Sequence, residues 1–325
     1  MIDLIRDERI RKILWLPEDK DEDWRSDLER FEREDVSLTR KSAGESSIKS
    51  IQRLLIFLGY STASTGAFLI DGDFGRGTNR GVAQFQFEHA LNSRITRDTL
   101  CYDCTWQNAR PNIVAIPDVR LTVRTLQAML EAALQAIESN DVMCGSFDEA
   151  LFHLNSLHRN SLFSCKQILE RCGGVVEQAV RRLKDERAVG IQPEWILAII
   201  KQETAGVVRP RFEQHLLTRL NRKEPRTDFA ELRCRAMSFG LGQILGENYR
   251  RVGSPAAHAM FTSPLDEQVL FVARFLAVKG DTVAKKNPSE EDFRTIASYY
   301  NGPAYASHHY HERIASWFKE FRTIL

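Results

Sequence analysis

From residue 48 the apolar positions Ile48, Ile51, Leu54, Leu55 and Leu58 recur at the spacing of one helical face. Ser46 or Ser47 is expected to cap this helix, and Gly59 to stop it. A glycine-rich turn follows, Asp71-Gly72-Asp73-Phe74-Gly75-Arg76-Gly77. A second helix is predicted from about residue 78 to 91, with Thr78 as its cap and Val82, Phe85 and Leu91 inward. Residues 92–120 hold a Cys-x-x-Cys, several polar residues and two prolines, and are expected to be an irregular connection. Helical spacing returns at 121–137, through Leu126, Met129, Leu130, Ala133, Leu134 and Ile137. Beyond Phe147 nearly everything reads as helix, clearest at 176–183, 194–204, 265–277 and 290–300. Ser263-Pro264 and Ser289-Glu290-Glu291-Asp292 look like helix starts. Ahead of all this, Ile10, Ile13 and Leu14 make a narrow stripe in a polar N-terminal stretch. Alternating strand patterns are scarce and no long repeat is present. The expected fold is mostly α: a helical extension (1–45), a small helical module with a connecting helix (46–140), and a helical domain (141–325), each module with its own core.

Composition narrows the classes. The chain has 325 residues, 43% hydrophobic and 27% charged, which fits a globular protein and excludes wholesale disorder. Its net charge of +1 gives no global field to gather nucleic acid, so no nucleic-acid partner is expected. No apolar run is long enough to span a bilayer, so no membrane insertion is expected. The first twenty residues alternate charged with apolar side chains, unlike a Sec signal peptide. Six cysteines are too sparse for a disulfide scaffold and suit a reduced compartment of synthesis.

Several short motifs invite over-reading. Asp71-Gly72-Asp73 begins like a calcium loop, but its sixth and twelfth positions are Arg76 and Val82 where glycine and glutamate are needed. Cys101 and Cys104 have the spacing of a zinc half-site with no matching second half. His308, His309 and His311 cluster, but without a cysteine or a second spaced ligand pair to complete a site. No metal and no cofactor are expected.

Residues 46–95 do carry a consistent pattern: Ile51-Gln52, Leu58-Gly59-Tyr60, Asp71-Gly72-Asp73-Phe74-Gly75-Arg76-Gly77-Thr78, Phe85-Gln86 and Ala90-Leu91. This resembles the peptidoglycan-binding repeat found at the ends of cell-wall hydrolases. The resemblance implies a wall-binding module with Gln52, Tyr60, Asp71, Phe74 and Gln86 as its marker residues. The plain alternative is a helical packing module with no ligand, in which Asp71 ties the turn through its own backbone.

The strongest chemistry lies further on. Pro193 starts a helix whose Ile196, Ile199 and Ile200 form an apolar stripe, and Glu203 falls seven residues after Ile196. Thr204-Ala205-Gly206 ends it. A glutamate on an apolar face, at the negative end of a helix dipole, is doubly discouraged from ionising. Periodicity alone leaves open an ordinary exposed glutamate.

The surroundings form an ordered set of motifs. Glu203-Thr204-Ala205-Gly206 is followed by Arg209-Pro210 with Phe212-Glu213-Gln214-His215. Ser238-Phe239-Gly240, Gln243-Ile244 and Asn248-Tyr249 come next, then Tyr300-Asn301-Gly302-Pro303. This region resembles the phage-type N-acetylmuramidase domain of the lysozyme-like superfamily. Phe239 stands where that family has tryptophan and Gln214 where it has arginine, and the spacer from Glu203 to Glu213 is shorter. The resemblance implies cleavage of the β-1,4 bond between N-acetylmuramic acid and N-acetylglucosamine, with Glu203 as general acid. Glu213 is implied as a water-activating base or as the partner of Arg209 or Arg211. Ser238, Gly240, Gln243, Asn248, Tyr249, Tyr300, Asn301, Gly302 and His215 are implied to bind sugar. Peptidoglycan is the expected partner, and a monomer the expected state. Release from the cytoplasm of synthesis would need a holin or a secretion system. A lytic transglycosylase, a non-catalytic wall-binding or tail-structural protein, and a hydrolase of another polymer such as chitin remain the alternatives.

Overall fold

The computed structural model describes residues 1–19, 23–35, 37–38, 42–102 and 119–325. In chain order the first helices are α1 (Ile2–Arg6), α2 (Glu8–Leu14), α3 (Asp23–Glu34), α4 (Glu45–Phe57), α5 (Arg76–Glu88), α6 (Arg97–Leu100), α7 (Val123–Glu138) and α8 (Phe147–His158). The long α9 (Cys165–Arg187) and α10 (Pro193–Thr204) follow, then β1 (Arg211–Phe212), α11 (Gln214–Lys223), α12 (Phe229–Arg235), β2 (Met237–Phe239) and β3 (Ile244–Leu245). The last stretch holds α13 (Ala257–Thr262), α14 (Leu265–Leu276), α15 (Gly280–Val283), α16 (Glu290–Asn301) and α17 (Tyr310–Ile324). The fold is all but wholly helical, as the spacing of apolar residues predicts. Among the described residues no helix is long and apolar enough to cross a membrane. Cys104 of the Cys-x-x-Cys lies outside the described residues, and Cys101 is a buried free thiol.

Contacts group the chain into two units that do not follow the sequence segments. The first comprises 1–160 and 209–238; the second comprises 161–208 and 239–325. The reason for the first grouping is a set of buried polar anchors. Arg233 on α12 forms a double hydrogen bond to Glu88 on α5, at 2.6 and 3.1 Å, and donates to the Gly59 carbonyl at 2.8 Å. The Tyr60 hydroxyl donates to the same carboxylate at 2.8 Å, and its ring lies 4.2 Å beneath the guanidinium. Gln214 donates to the Leu100 carbonyl at 2.7 Å, and Arg97 donates to Asn221 and to the Thr227 carbonyl. The Gly66 carbonyl accepts from the Phe212 N–H at 2.9 Å; a Cβ on Gly66 would stand 1.8 Å from the Phe212 carbonyl oxygen, so only glycine allows the approach. β1 pairs antiparallel with β2, Arg211 opposite Ser238.

The N-terminal helices belong to the same core. Ile10, Ile13 and Leu14 are buried as their stripe predicts. The fully buried Arg53 of α4 donates to the Ile13 and Lys12 carbonyls and to Asn155 of α8. Desolvation pushes its guanidinium down to about 9.

Three expected caps are built otherwise. α4 begins at Glu45 with Gly44 at its N-cap, and Asp27 of α3 takes both the Gly44 N–H and the Ser47 hydroxyl, so a tertiary carboxylate replaces the local serine. Thr78 lies inside α5, not at its start, because its hydroxyl is drawn to the carbonyl of Asp73. Ser263 bonds back to the Ala259 carbonyl and leaves Pro264 at the start of α14. Ser289 caps α16 as expected, in a reciprocal box with Asp292.

In the second unit, α10 runs through the core with Trp195 to Ile200 all buried, and α9, α14, α16 and α17 pack around it. The Trp195 ring packs at a tilt against Phe293 and Phe318, with centroids 4.8 Å away in each case. Arg274 of α14 joins α9 through Glu186, at 2.9 and 3.0 Å, and donates to the Val252 carbonyl at 3.0 Å.

Candidate active site

The last turn of α10 places Glu203 where its apolar stripe meets the end of the helix. Ala205 closes the helix in the left-handed region at φ 47°, and Gly206 continues it at φ 80°. Glu203 as a residue is half-buried, with its carboxyl group set into the packing. Desolvation is the leading influence on that group and pushes its pKa up to about 7. A hydrogen bond from Tyr310 and the charge of Arg313, both on α17, pull the other way and do not cancel it. The Tyr310 hydroxyl donates to Glu203 Oε1. A carboxyl with that affinity is substantially protonated at neutral pH, the condition a general acid needs.

The neighbouring loop is fixed by glycines and by two buried hydroxyls. Thr204, next to the acid, donates to the Leu241 carbonyl at 2.8 Å. Tyr300 on α16 donates to the Gly242 carbonyl at 2.7 Å, and burial together with nearby Glu203 raises its own pKa well above the usual value. A Cβ on Gly242 would lie 2.5 Å from Val272 Cγ2 and 2.7 Å from the Tyr300 hydroxyl. Gly240 sits at φ 70° and Gln243 at φ 49°; the Gln243 amide bonds back to the Gly240 carbonyl at 3.2 Å. Thus Glu203, the 240–243 loop and Tyr300 are brought together. Asn248 and Tyr249 are half-buried, and the Tyr249 hydroxyl accepts from Arg250 at 2.8 Å. Asn301 is exposed beside Gly302, whose φ is 82°.

Other expected site residues lie in the first unit. Glu213 is half-buried and paired with Arg211 at 2.9 Å, with His215 Nδ1 3.7 Å from its other oxygen. Ser238 is half-buried on β2. Four of the five wall-module markers, Gln52, Tyr60, Phe74 and Gln86, are buried. The Gln52 side chain accepts from the backbone of Asp71 and Gly72 and donates to Asp71, to Thr78 and to the Asp73 carbonyl. Asp71 in turn accepts from the Asp73 N–H at 2.9 Å, tying the turn through its own backbone. Gln86 donates to the Arg120 carbonyl and to Thr125. These side chains spend their polar groups holding the module's turn and core.

Tyr310 and Arg313 were not expected from the sequence. Tyr310 sits inside the His308, His309 and His311 run, where the histidines draw attention. Among the described residues no group of three or more metal-ligating side chains comes together; His309 instead meets Glu312 at 3.1 Å.

Residues 227–322 match the family model described as N-acetylmuramidase. The matched span includes the 240–249 loop, Tyr300, Asn301, Tyr310 and Arg313, and begins after Glu203. Among solved structures, the crystal structure of the Burkholderia AP3 phage endolysin aligns with 17% identity over 86% of this chain and 95% of that one, at a TM-score of 0.36. No curated protein sequence matches the chain. Residues 227–322 thus carry similarity to the N-acetylmuramidase family, over the part of the chain that holds the 240–249 loop, Tyr300 and Tyr310.

Proposed function

We propose that the chain is an N-acetylmuramidase that cleaves the β-1,4 bond between N-acetylmuramic acid and N-acetylglucosamine, with Glu203 as general acid. The observation that carries this reading is the Glu203 carboxyl, held protonated near neutral pH by burial beside Tyr310 and a glycine-built loop. Glu203 gives its proton to the glycosidic oxygen while positive charge develops on the muramic acid ring. Gln243, Asn248, Tyr249 and Asn301 present polar groups for the sugar and its N-acetyl substituents. Tyr300 acts through the loop, since its hydroxyl is engaged by Gly242. The module at 46–95 is assigned to holding the chain on the wall, on the strength of its sequence pattern; pull-down of the inactive Glu203→Gln chain by purified sacculi tests that attachment.

Mass analysis of muropeptides released from sacculi tests the reaction. Reducing muramic acid ends support hydrolysis. Products one water lighter would instead mark a transglycosylase using the same acid, and no release at all would mark a non-catalytic wall protein.

A further inference from the structure

We propose that Tyr310 is a positioning residue for the acid: its hydroxyl occupies Glu203 Oε1, so that the transferable proton resides on Oε2. This rests on the reading of Glu203 as the general acid. A carboxylic acid has one carbonyl oxygen and one hydroxyl oxygen, and a donor bound to one of them makes that one the carbonyl. Tyr310 is 3% exposed, and its hydroxyl donates to Oε1 across 107 residues of sequence. Among the described residues nothing hydrogen-bonds to Oε2.

The surroundings make Tyr310 a fixed donor. The residue before it, His309, adopts the left-handed region at φ 52°, a conformation that costs a histidine about 1 kcal/mol or more. That turn starts α17 and points the chain so that Tyr310 is buried in its first turn. Burial, and secondarily the neighbouring Glu203, raises the Tyr310 hydroxyl well above its usual pKa, so it keeps its proton throughout the working range. The titratable and charged groups that face the Glu203 carboxyl are Tyr310 and Arg313 from α17 and Tyr300 from α16. The Tyr300 hydroxyl is taken by the Gly242 carbonyl, which leaves Tyr310 as the donor to the acid.

In the reaction the Oε2–H bond breaks as the bond from hydrogen to the glycosidic oxygen forms, and the C1–O bond electrons leave with that oxygen. The carboxylate left on Glu203 keeps the Tyr310 hydrogen bond and the Arg313 charge. It is then oriented to take a proton back from the water that attacks C1, whose remaining hydroxyl stays on C1 of the product.

The test is Tyr310→Phe in the full chain, read three ways: muropeptide release from sacculi across pH, a ¹³C-glutamate NMR titration, and thermal unfolding. The Glu203 resonance is identified by its loss in Glu203→Gln. The hydrogen bond favours the ionised carboxyl, so its removal should move both the alkaline limb of the rate and the NMR midpoint of Glu203 upward. The plateau rate should fall roughly 10- to 100-fold, the cost of a loosely placed acid. A purely structural role would lower the unfolding midpoint and leave both titrations in place, and that result overturns the proposal. If Tyr310→Phe misfolds, a fluorotyrosine at position 310 alone, a stronger donor, should shift both midpoints downward; no shift overturns the proposal. Full activity in Glu203→Gln would remove the acid itself, whereas unmoved midpoints with an inactive Glu203→Gln remove only the role of Tyr310.

Discussion

Glu203→Gln should yield a protein that is dead as a catalyst and more stable than its parent at alkaline pH. The wild-type carboxyl titrates at about 7 in the folded protein against an ordinary value of 4.5. Its folded pKa is raised, so its contribution to stability is fully present below pH 4.5 and is lost progressively as pH rises through 7. At about 1.36 kcal/mol for each pKa unit, that loss amounts to about 3 kcal/mol. Glutamine has nearly the same shape, its amide oxygen can still accept from Tyr310, and it carries no charge to desolvate. The stability gap between variant and parent should therefore widen by about 3 kcal/mol between pH 4.5 and pH 8. In a unit of this size that is roughly 10 °C in the unfolding midpoint. Differential scanning fluorimetry at the two pH values measures it directly, and turbidity of a sacculus suspension measures the activity. The rate should be at or below about a hundredth of wild type, the usual contribution of a general acid. A gap that stays constant with pH, or that favours the parent at pH 8, would refute the claim that burial holds this carboxyl protonated.

Wild-type lysis should fall as pH rises through about 7, where Glu203 gives up its proton, and a rate that keeps climbing past pH 8 would contradict that assignment. Gly242→Ala should cut lysis at least tenfold, since its methyl group must displace Val272 or the Tyr300 hydroxyl; circular dichroism should show the helices retained. Glu88→Gln should lower the unfolding midpoint of the first unit markedly, because stripping one partner from a buried ion pair costs about 3–5 kcal/mol. Glu213→Gln should leave stability within about 1 kcal/mol, since its partner Arg211 is largely exposed. Any rate loss of 10²–10⁴-fold in that variant would then identify Glu213 as a base that activates water.

Helices were legible because their apolar residues repeat at the right interval, and α10 and α16 fall within a residue of the spans read from sequence. The burial of the Glu203 carboxyl was legible only in part: its place on the Ile196 stripe suggested it, but periodicity alone also allowed an exposed glutamate. What periodicity cannot carry is partnership at long range. Nothing local announces that Asp27 will replace Ser47 as the cap of α4, or that Arg233 will seek Glu88. Tyr310 escaped for the same cause: its role depends on a carboxyl more than a hundred positions earlier, while its immediate neighbours are histidines. The marker glutamines of the first module show the converse. Their pattern is plain in the sequence, but whether a conspicuous polar side chain faces a ligand or its own backbone is decided by burial, and Gln52 and Gln86 face inward.

The chain passes between the two units three times, after residues 160, 208 and 238. No single cut in the polypeptide can separate them, so the first unit cannot be exchanged as a cassette in the way of beads on a string. On the ribosome, 1–160 emerge without α11 and α12, and Arg233 reaches Glu88 only after two helices of the other unit have been made. The acid has longer to wait: Glu203 is synthesised 107 residues ahead of Tyr310. On the proposed reading, a nascent chain carries its proton donor through most of the second unit's synthesis without the hydroxyl that aims it, and lytic competence would arrive only with α17.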